Sequence, residues 1–377
     1  MVKYLDAVEK QLSRELWEEA FPQDSRSFDD YYYQEKMKDN RVLAICEEKG
    51  AAAEGEMSAV APERKVVIQA MIQLNPYLLE VRHFKWRADY LVGVATRIEK
   101  RHQGCMRRLL LRMMEDMRVE QMPFCFLMPA DEVIYKPFGF TWIFRQPQWR
   151  LRENIPLARR AVLPVEKNAP EGFPARGYTE FLAGFMNQWL ARRYQVYAVR
   201  DEEYLVRLLK ELASENGTLD MLYDGDTVIG LASEWGLEKR EQRLLYCEEP
   251  YVEVTAEPKP AIMARIISPE VFVQAIRLRT SVAEKEKTLL LDIKDDQIGR
   301  NNAAWLWRLN HETSRLERLQ SGMFDALQRA DANGEPILHL SIDELTSWLF
   351  GYGVPEAARE YDMLVETLHG VFLDEIV

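Results

Sequence analysis

Four cysteines in 377 residues, Cys46, Cys105, Cys125 and Cys247, are too few and too scattered for a disulfide framework, and no two share a Cys-x-x-Cys spacing. The five histidines, His83, His102, His311, His339 and His369, show no ligand spacing either, so no metal is expected. No apolar run approaches the roughly 18 residues of a membrane span. The opening stretch MVKYLDAVEKQLSRELWEEA is too charged for a secretion signal, which makes a reducing cytoplasm the expected setting. A GxSxG elbow, a Walker loop and an HExxH helix are all missing, and with them three familiar routes to hydrolysis. Positive charge is also short: 49 Lys and Arg stand against 61 Asp and Glu, a net of −12 that argues against nucleic acid as a partner. There is no repeat and no heptad seam.

What is present is ordinary for a globular protein, 47% apolar and 29% charged residues, in a length that suits two or three domains. Residues 1–150 balance 23 basic against 23 acidic side chains, so the remainder carries the whole negative charge. The first twenty residues read as an amphipathic helix and Arg41–Glu47 as a strand. Gly50–Lys65 is small, polar and aperiodic, a surface loop. VVIQAMIQLNPYLLEV reads as a strand with a turn near Asn75-Pro76, and MPFCFLMPA as another buried strand. A mixed sheet with helices packed on it is expected to close near residue 150. NIPLARRAVLPVEKNAPEGFP reads as a bridge. Two helices follow, then strands at LDMLYD, TVIGLASEWG and QRLLYCEE, with a turn at Asp224–Asp226. A boundary is expected around VTAEPKPAIMARI. Beyond it SPEVFVQAIRLR reads as a helix, KTLLLDIKD and PILHLSI as strands, and IDELTSWLFGYG and a last helix precede FLDEIV.

The most informative stretch is Tyr90–Arg118. YLVGVAT is short, apolar and β-branched, a buried strand. Met106, Leu109, Leu110, Met113, Met114 and Met117 then step by three and four, the stripe of a helix that begins near Gly104. Between them lies a basic loop. A helix start offers unpaired N–H groups and a partial positive charge, so Gly104 would admit a phosphate to the backbone while Arg97, Lys100 and Arg101 add charge. From the residues alone this reading and an ordinary strand-to-helix connection with solvated arginines both stand.

The same stretch resembles the acetyl-CoA pyrophosphate loop of the GNAT N-acetyltransferases, Arg/Gln-x-x-Gly-x-Gly/Ala, here Arg101-His102-Gln103-Gly104-Cys105-Met106 with Met106 at the final small position. PADEVIYKPFGF resembles the segment in which many of these enzymes carry a tyrosine before an FGF turn. LWEEAFPQDSRSFDDYYYQEKM, RLLKELASENGTLDMLYDGD and LTSWLFGYG…FLDEIV are similar to the enhanced-intracellular-survival (Eis-like) branch. The resemblance implies a mixed α+β and α/β fold: a GNAT domain over 1–150, a second GNAT-like domain over 151–257, and a sterol-carrier-protein-like domain over 258–377.

It also implies chemistry. Acetyl-CoA would lie along Val94, Ala95 and Thr96, meet the N–H groups from Arg101 to Met106 (Arg101, His102, Gln103, Gly104, Cys105, Met106), and approach Ala130 and Asp131. Tyr135 would be the general acid, its phenol protonated at neutral pH with an ordinary pKa near ~10. The carboxylate of Val377 would be the general base. Phe21, Asp24 and Tyr32, in the region that also holds Asp29, Asp30, Tyr31 and Tyr33, would receive a cationic acceptor: an aminoglycoside-like or polyamine compound, or a lysine side chain. The branch forms trimers or hexamers, so a homo-oligomer without membrane or nucleic-acid partners is expected. The rival expectation is a non-catalytic acyl-CoA-binding or lipid-binding module on the same scaffold.

Overall fold

The computed structural model describes residues 1–49, 65–163, 176–320 and 337–375. Two compact units emerge: Met1–Pro76 with Tyr90–Asp116, and Tyr77–Asp89 with Met117–Val377. The Gly50–Lys65 loop expectation falls, but for Lys65, outside the described residues.

The first unit is a sheet edge covered by helices. Strands β1 (Val2–Tyr4), β2 (Arg41–Lys49), β3 (Lys65–Val81) and β4 (Phe84–Thr96) lie side by side in that order. Helices α1 (Arg14–Ala20), α2 (Arg26–Gln34) and α3 (Cys105–Val119) complete it. The Ser25 side chain starts α2 by accepting the Phe28 N–H at 3.0 Å. In α3 the expected stripe is inside: Leu109, Leu110, Met113 and Met114 are buried, while Arg107, Arg108, Arg112 and Glu115 face water. The Tyr4 hydroxyl donates to Asp116 at 3.0 Å, tying β1 to that helix.

Two expectations fail here for tertiary reasons. Val2–Tyr4 is strand rather than helix, because it pairs antiparallel with Leu43–Ile45 and satisfies its backbone there. Asn75-Pro76 makes no turn: β3 runs through both, with Asn75 buried. The chain reverses instead at Arg82-His83, where Arg82 takes φ 58°.

In the second unit the long strand β12 (Val252–Ile266) lies between β5 (Phe124–Leu127) and β6 (Thr141–Leu151). It includes the residues around which a domain boundary was expected, and its pairing with β6 shifts register at several points there. A four-stranded sheet pairs β11 (Glu241–Cys247), β10 (Thr227–Trp235), β9 (Thr218–Asp224) and β7 (Ala158–Leu163) in that order. Strand β7 lies within the stretch read as a bridge. The helices Arg176–Ala191 and Glu202–Ser214 stand where the sequence placed them. A second four-stranded sheet aligns Ser314–Arg318, Ala303–Asn310, Glu286–Lys294 and Ile337–Ser341. SPEVFVQAIRLR is not one helix. It is a short helix at Pro269–Phe272 and a strand at Arg277–Leu278 that pairs with Val365–Glu366. The last helix is a pair of short turns, Glu356–Ala358 and Arg359–Asp362.

Buried arginines knit this unit. Arg265 and Asp295 are both fully buried, and one Arg265 Nη meets both carboxylate oxygens at 2.7 Å. Asp295 also accepts the Gln297 and Ile298 N–H groups at 2.9 and 3.0 Å. Removing one partner strands the other charge in a medium that cannot solvate it. Asp295→Ala therefore lowers stability by about 3–5 kcal/mol, read as a lower midpoint in urea denaturation; an unchanged midpoint refutes this account.

Candidate active site

Strand β4 ends in the basic loop at Thr96. Gly93 sits inside the strand at φ +57°, Val94 and Thr96 are half-buried, and Ala95 is buried. The loop is braced by the arginine the sequence assigned to phosphate. Arg97 donates to the Ile68 carbonyl at 2.9 Å and pairs with Glu15 and Glu19 at 3.0 and 2.8 Å. Lys100 pairs with Glu47 at 2.9 Å. Both therefore hold the loop in shape rather than adding a ready cation. Arg101 stays exposed, its Nε donating to the Thr96 carbonyl at 3.2 Å. His102 and Gly104 follow with φ of 60° and 77°. Alternating left-handed residues turn successive N–H groups to one side, and α3 begins at once with N–H groups that have no partner within the helix. Nothing lies within 4 Å of where a Gly104 Cβ would stand. His102, Gln103 and Gly104 are exposed, Met106 is half-buried, and Cys105 is buried at the first helical position.

A pocket of about 600 Å³ opens between α1 and α2 in the same unit. Its walls are Arg14, Glu18, Phe21, Pro22, Asp24, Arg26, Asp29 and Asp30. Arg14 engages Glu18 at 2.8 Å and Asp30 at 2.7 Å. Asp29 is buried, and burial raises its pKa against the opposing pull of Arg14. Of the expected acceptor residues, Phe21 and Asp24 line this pocket. Tyr32 does not: it is fully buried behind it, donating to Gln73 at 2.8 Å and accepting from Asn40 at 2.9 Å. Burial drives its phenol well above the ordinary range. Trp17, to which the sequence reading gave no role, is stacked on Tyr32 at 4.4 Å, and its indole N–H donates to Asp24 at 3.2 Å. One tryptophan in an amphipathic helix looks like core, and only the fold shows its polar edge turned to the pocket.

In the second unit Tyr135 closes a one-turn helix, Glu132–Tyr135. The Asp131 carboxylate caps that turn by accepting the Val133 N–H at 3.0 Å, and Ala130 is exposed beside it. Tyr135 is 7% exposed, packs edge-on to Phe140 at 5.9 Å, and burial pushes its pKa up to about 12. The turn that follows is fixed from both sides. Arg265 donates to the Phe138 carbonyl and Gln297 to that of Pro137. Gly139, at φ +76°, has no room for a Cβ against Arg265 and Ile342.

Val377 lies outside the described residues, but the segment before it is held firmly. Val371 and Phe372 pair in parallel with Val196 and Tyr197. Fully buried Arg200 pairs with Asp374 at 2.8 Å and with Glu375 at 2.5 Å. Arg243, itself paired with Glu211 at 3.1 Å, donates to the Asp374 carbonyl at 3.2 Å. The Tyr246 hydroxyl also donates to the Asp374 carboxylate, at 3.1 Å. Burial raises the Asp374 pKa while Arg200 lowers it. Neither arginine stood out in the sequence, since each finds its acidic partner far along the chain.

Comparison with known proteins places these elements. Residues 2–143 match the acetyltransferase (GNAT) domain family and residues 272–370 the sterol carrier protein domain family. No curated protein matches the chain. A probable N-acyltransferase from Enterococcus faecalis V583 is similar over 97% of this chain and 93% of its own, at 13% identity and a TM-score of 0.69. A GCN5-related N-acetyltransferase from Anabaena variabilis ATCC 29413 is similar over 97% and 94%, at 14% identity and 0.65. Eis1 from Mycobacterium abscessus is similar over 100% and 99%, at 11% identity and 0.64. At such identities the likeness shows the fold alone, mixed α and β; the family matches put the GNAT-type segment first and the sterol-carrier-type segment last. Among the described residues no helix is long and apolar enough to cross a membrane.

The anchoring of the final segment is open to test. Arg200→Met leaves Asp374 and Glu375 buried without their cation, and the expected cost is about 3–5 kcal/mol. Hydrogen exchange at the Val371 and Phe372 amides should accelerate in the variant; unchanged protection there contradicts the anchor.

Proposed function

We propose that this chain, which carries an acetyltransferase (GNAT) domain followed by a C-terminal sterol carrier protein domain, moves the acetyl group of acetyl-CoA to a primary amine of a cationic acceptor. The observation that carries the proposal is the His102/Gly104 pair of left-handed residues between β4 and α3, at φ 60° and 77°. A pyrophosphate suits that arrangement because backbone donors are fixed before it arrives. Val94, Ala95 and Thr96 would receive the pantetheine arm, and Ala130 and Asp131 would approach the same ligand. The acceptor would enter the Phe21/Asp24 pocket, whose acidic walls suit an aminoglycoside-like compound, a polyamine or a lysine.

The amine attacks the thioester carbonyl, and a C–N bond forms as the C–S bond breaks. Coenzyme A leaves as a thiolate and takes a proton from Tyr135. The ammonium proton passes to the Val377 carboxylate, always charged at neutral pH. Proton donation of this kind contributes about 10²–10⁴ in rate. The division into 1–150, 151–257 and 258–377, the cytoplasmic setting and a trimeric or hexameric assembly belong to the same proposal.

A thermal melt with acetyl-CoA decides the first step. Ligand at about 100 times its Kd adds about 2.7 kcal/mol, which should raise the melt by several degrees. A flat melt of folded protein overturns the reading. Gly104→Ala, which adds a side chain at a left-handed position beside the diphosphate path, should abolish most of that rise at a folding cost of about 1–2 kcal/mol. Tyr135→Phe should keep the rise and lose about 100-fold in kcat; full kcat removes Tyr135 from the mechanism. The pH profile carries a sign as well. Because burial raises the phenol, its protonated form persists to higher pH, and kcat/KM should show no falling limb from this acid below about pH 10.

A further inference from the structure

In the second unit a pocket of about 510 Å³ opens beside the two-stranded ribbon of Arg277–Leu278 and Val365–Glu366. That volume falls in the range of roughly 300–1,000 Å³ usual for small-molecule sites. Arg279, Thr280, Ser281, Glu366, Thr367 and His369 line it, all within the sterol carrier protein match. The backbone that carries them is fixed. Arg279 donates its N–H to the Leu364 carbonyl at 2.8 Å, and Val282 donates to the Arg279 carbonyl at 3.0 Å. The second bond closes a turn with Thr280 and Ser281 at its two central positions, both exposed. The His369 N–H donates to Gln195 Oε1 at 3.0 Å, while the residue itself stays exposed.

Glu366 is the one acid in this lining, and it is already engaged. The Arg82 guanidinium, 8% exposed, pairs with its carboxylate at 2.9 Å and donates to the Glu366 and Thr367 carbonyls, each at 3.4 Å. Arg279 is engaged on one side only. Its Nε donates to the Asp362 carbonyl at 2.8 Å, and its Nη2 stands 3.7 Å from the Asp362 carboxylate, too far for a hydrogen bond. Arg277 lies across the ribbon from Glu366, and burial together with the Arg82 charge lowers its pKa. Three guanidiniums thus stand with two carboxylates, Glu366 and Asp362. Among the described residues the hydroxyls of Thr280, Ser281 and Thr367 and the His369 ring have no hydrogen-bond partner. The lining is rich in donors and short of acceptors, so a complementary ligand brings several acceptor oxygens and negative charge on one centre. A carboxylate offers two oxygens. A phosphomonoester offers three, with a charge of about −1.5 to −2, and a guanidinium meets them with charge-assisted bonds.

We propose that this pocket binds a phosphomonoester, with Arg279 as its cationic anchor and the Thr280 and Ser281 hydroxyls as donors to the phosphate oxygens. Arg82, by holding Glu366, keeps that carboxylate from repelling the ligand. The site stands independently of the acetyltransferase reading and gives the C-terminal segment a ligand of its own.

The test uses the full chain with its threonine methyl groups labelled, titrated with inorganic phosphate at constant ionic strength and followed by NMR. The Thr280 and Thr367 methyl signals should shift and saturate together, and chloride in place of phosphate should leave them unmoved. Arg279→Gln should weaken phosphate binding about tenfold, as the loss of a hydrogen bond to a charged group does. Ser281→Ala removes one exposed hydroxyl, should weaken binding about threefold, and keeps the test open should Arg279→Gln loosen the ribbon. No saturating shift at either methyl, or an affinity that both variants leave unchanged, overturns the proposal. Two further probes identify what carries the phosphate: glycerol 3-phosphate, and phosphatidylcholine vesicles with and without phosphatidic acid. Tighter binding of glycerol 3-phosphate than of inorganic phosphate supports a soluble monoester. Vesicle binding that requires both phosphatidic acid and Arg279 supports a lipid headgroup at the same site.

Discussion

The first unit depends on one close approach: an indole ring in the space of a missing side chain. Strand β4 can carry a residue at φ +57° because that residue is Gly93, and the gap is filled because Trp17 stands there. Any other residue would meet both the left-handed penalty and the ring. From this contact the rest of the unit is registered. Trp17 stacks on Tyr32 behind it and donates to Asp24 in front. The same strand then delivers Thr96, the braced loop and the start of α3. Packing that rigid couples the two ends of the candidate site without any hydrogen bond running between them.

In the second unit the equivalent constraint is electrostatic. Arg265 with Asp295, and Arg200 with Asp374 and Glu375, are ion pairs removed from water. Such pairs add little net stability over apolar packing of the same volume, yet breaking one is expensive, so they act as locks. One lock sits on the turn after Tyr135 and the other on the segment leading to the chain's last residues. Both groups proposed for proton transfer therefore adjoin, in sequence, backbone held by a buried arginine.

Legibility in the sequence divided along physical lines. The α3 stripe, the β4 strand and the helix start at Gly104 were readable because each is set by neighbours within a few residues. The roles inside the loop were not. Arg97 looked like a phosphate ligand by position, yet Glu15 and Glu19, some eighty residues earlier, claim it. Tyr32 looked like a pocket residue among three consecutive tyrosines, and the helix turned it to the core. Asn75-Pro76 carried turn chemistry that a long paired strand overrode, and Val2–Tyr4 left its helical pattern for an open sheet edge.

By itself the sequence determined the order of most elements, the mixed α and β class, and the strand–loop–helix unit with a glycine at the helix start. These follow from local propensity, periodicity and the steric freedom of one residue type. Tertiary structure alone decided which charges are spent on bracing, that Tyr32 packs behind the pocket rather than lining it, and which carboxylates face the pocket. It also set Trp17 against Gly93 on one side and in hydrogen-bond contact with Asp24 on the other. Those outcomes depend on partners distant in the chain, and the energy of a charge or a ring edge is set by what surrounds it in space.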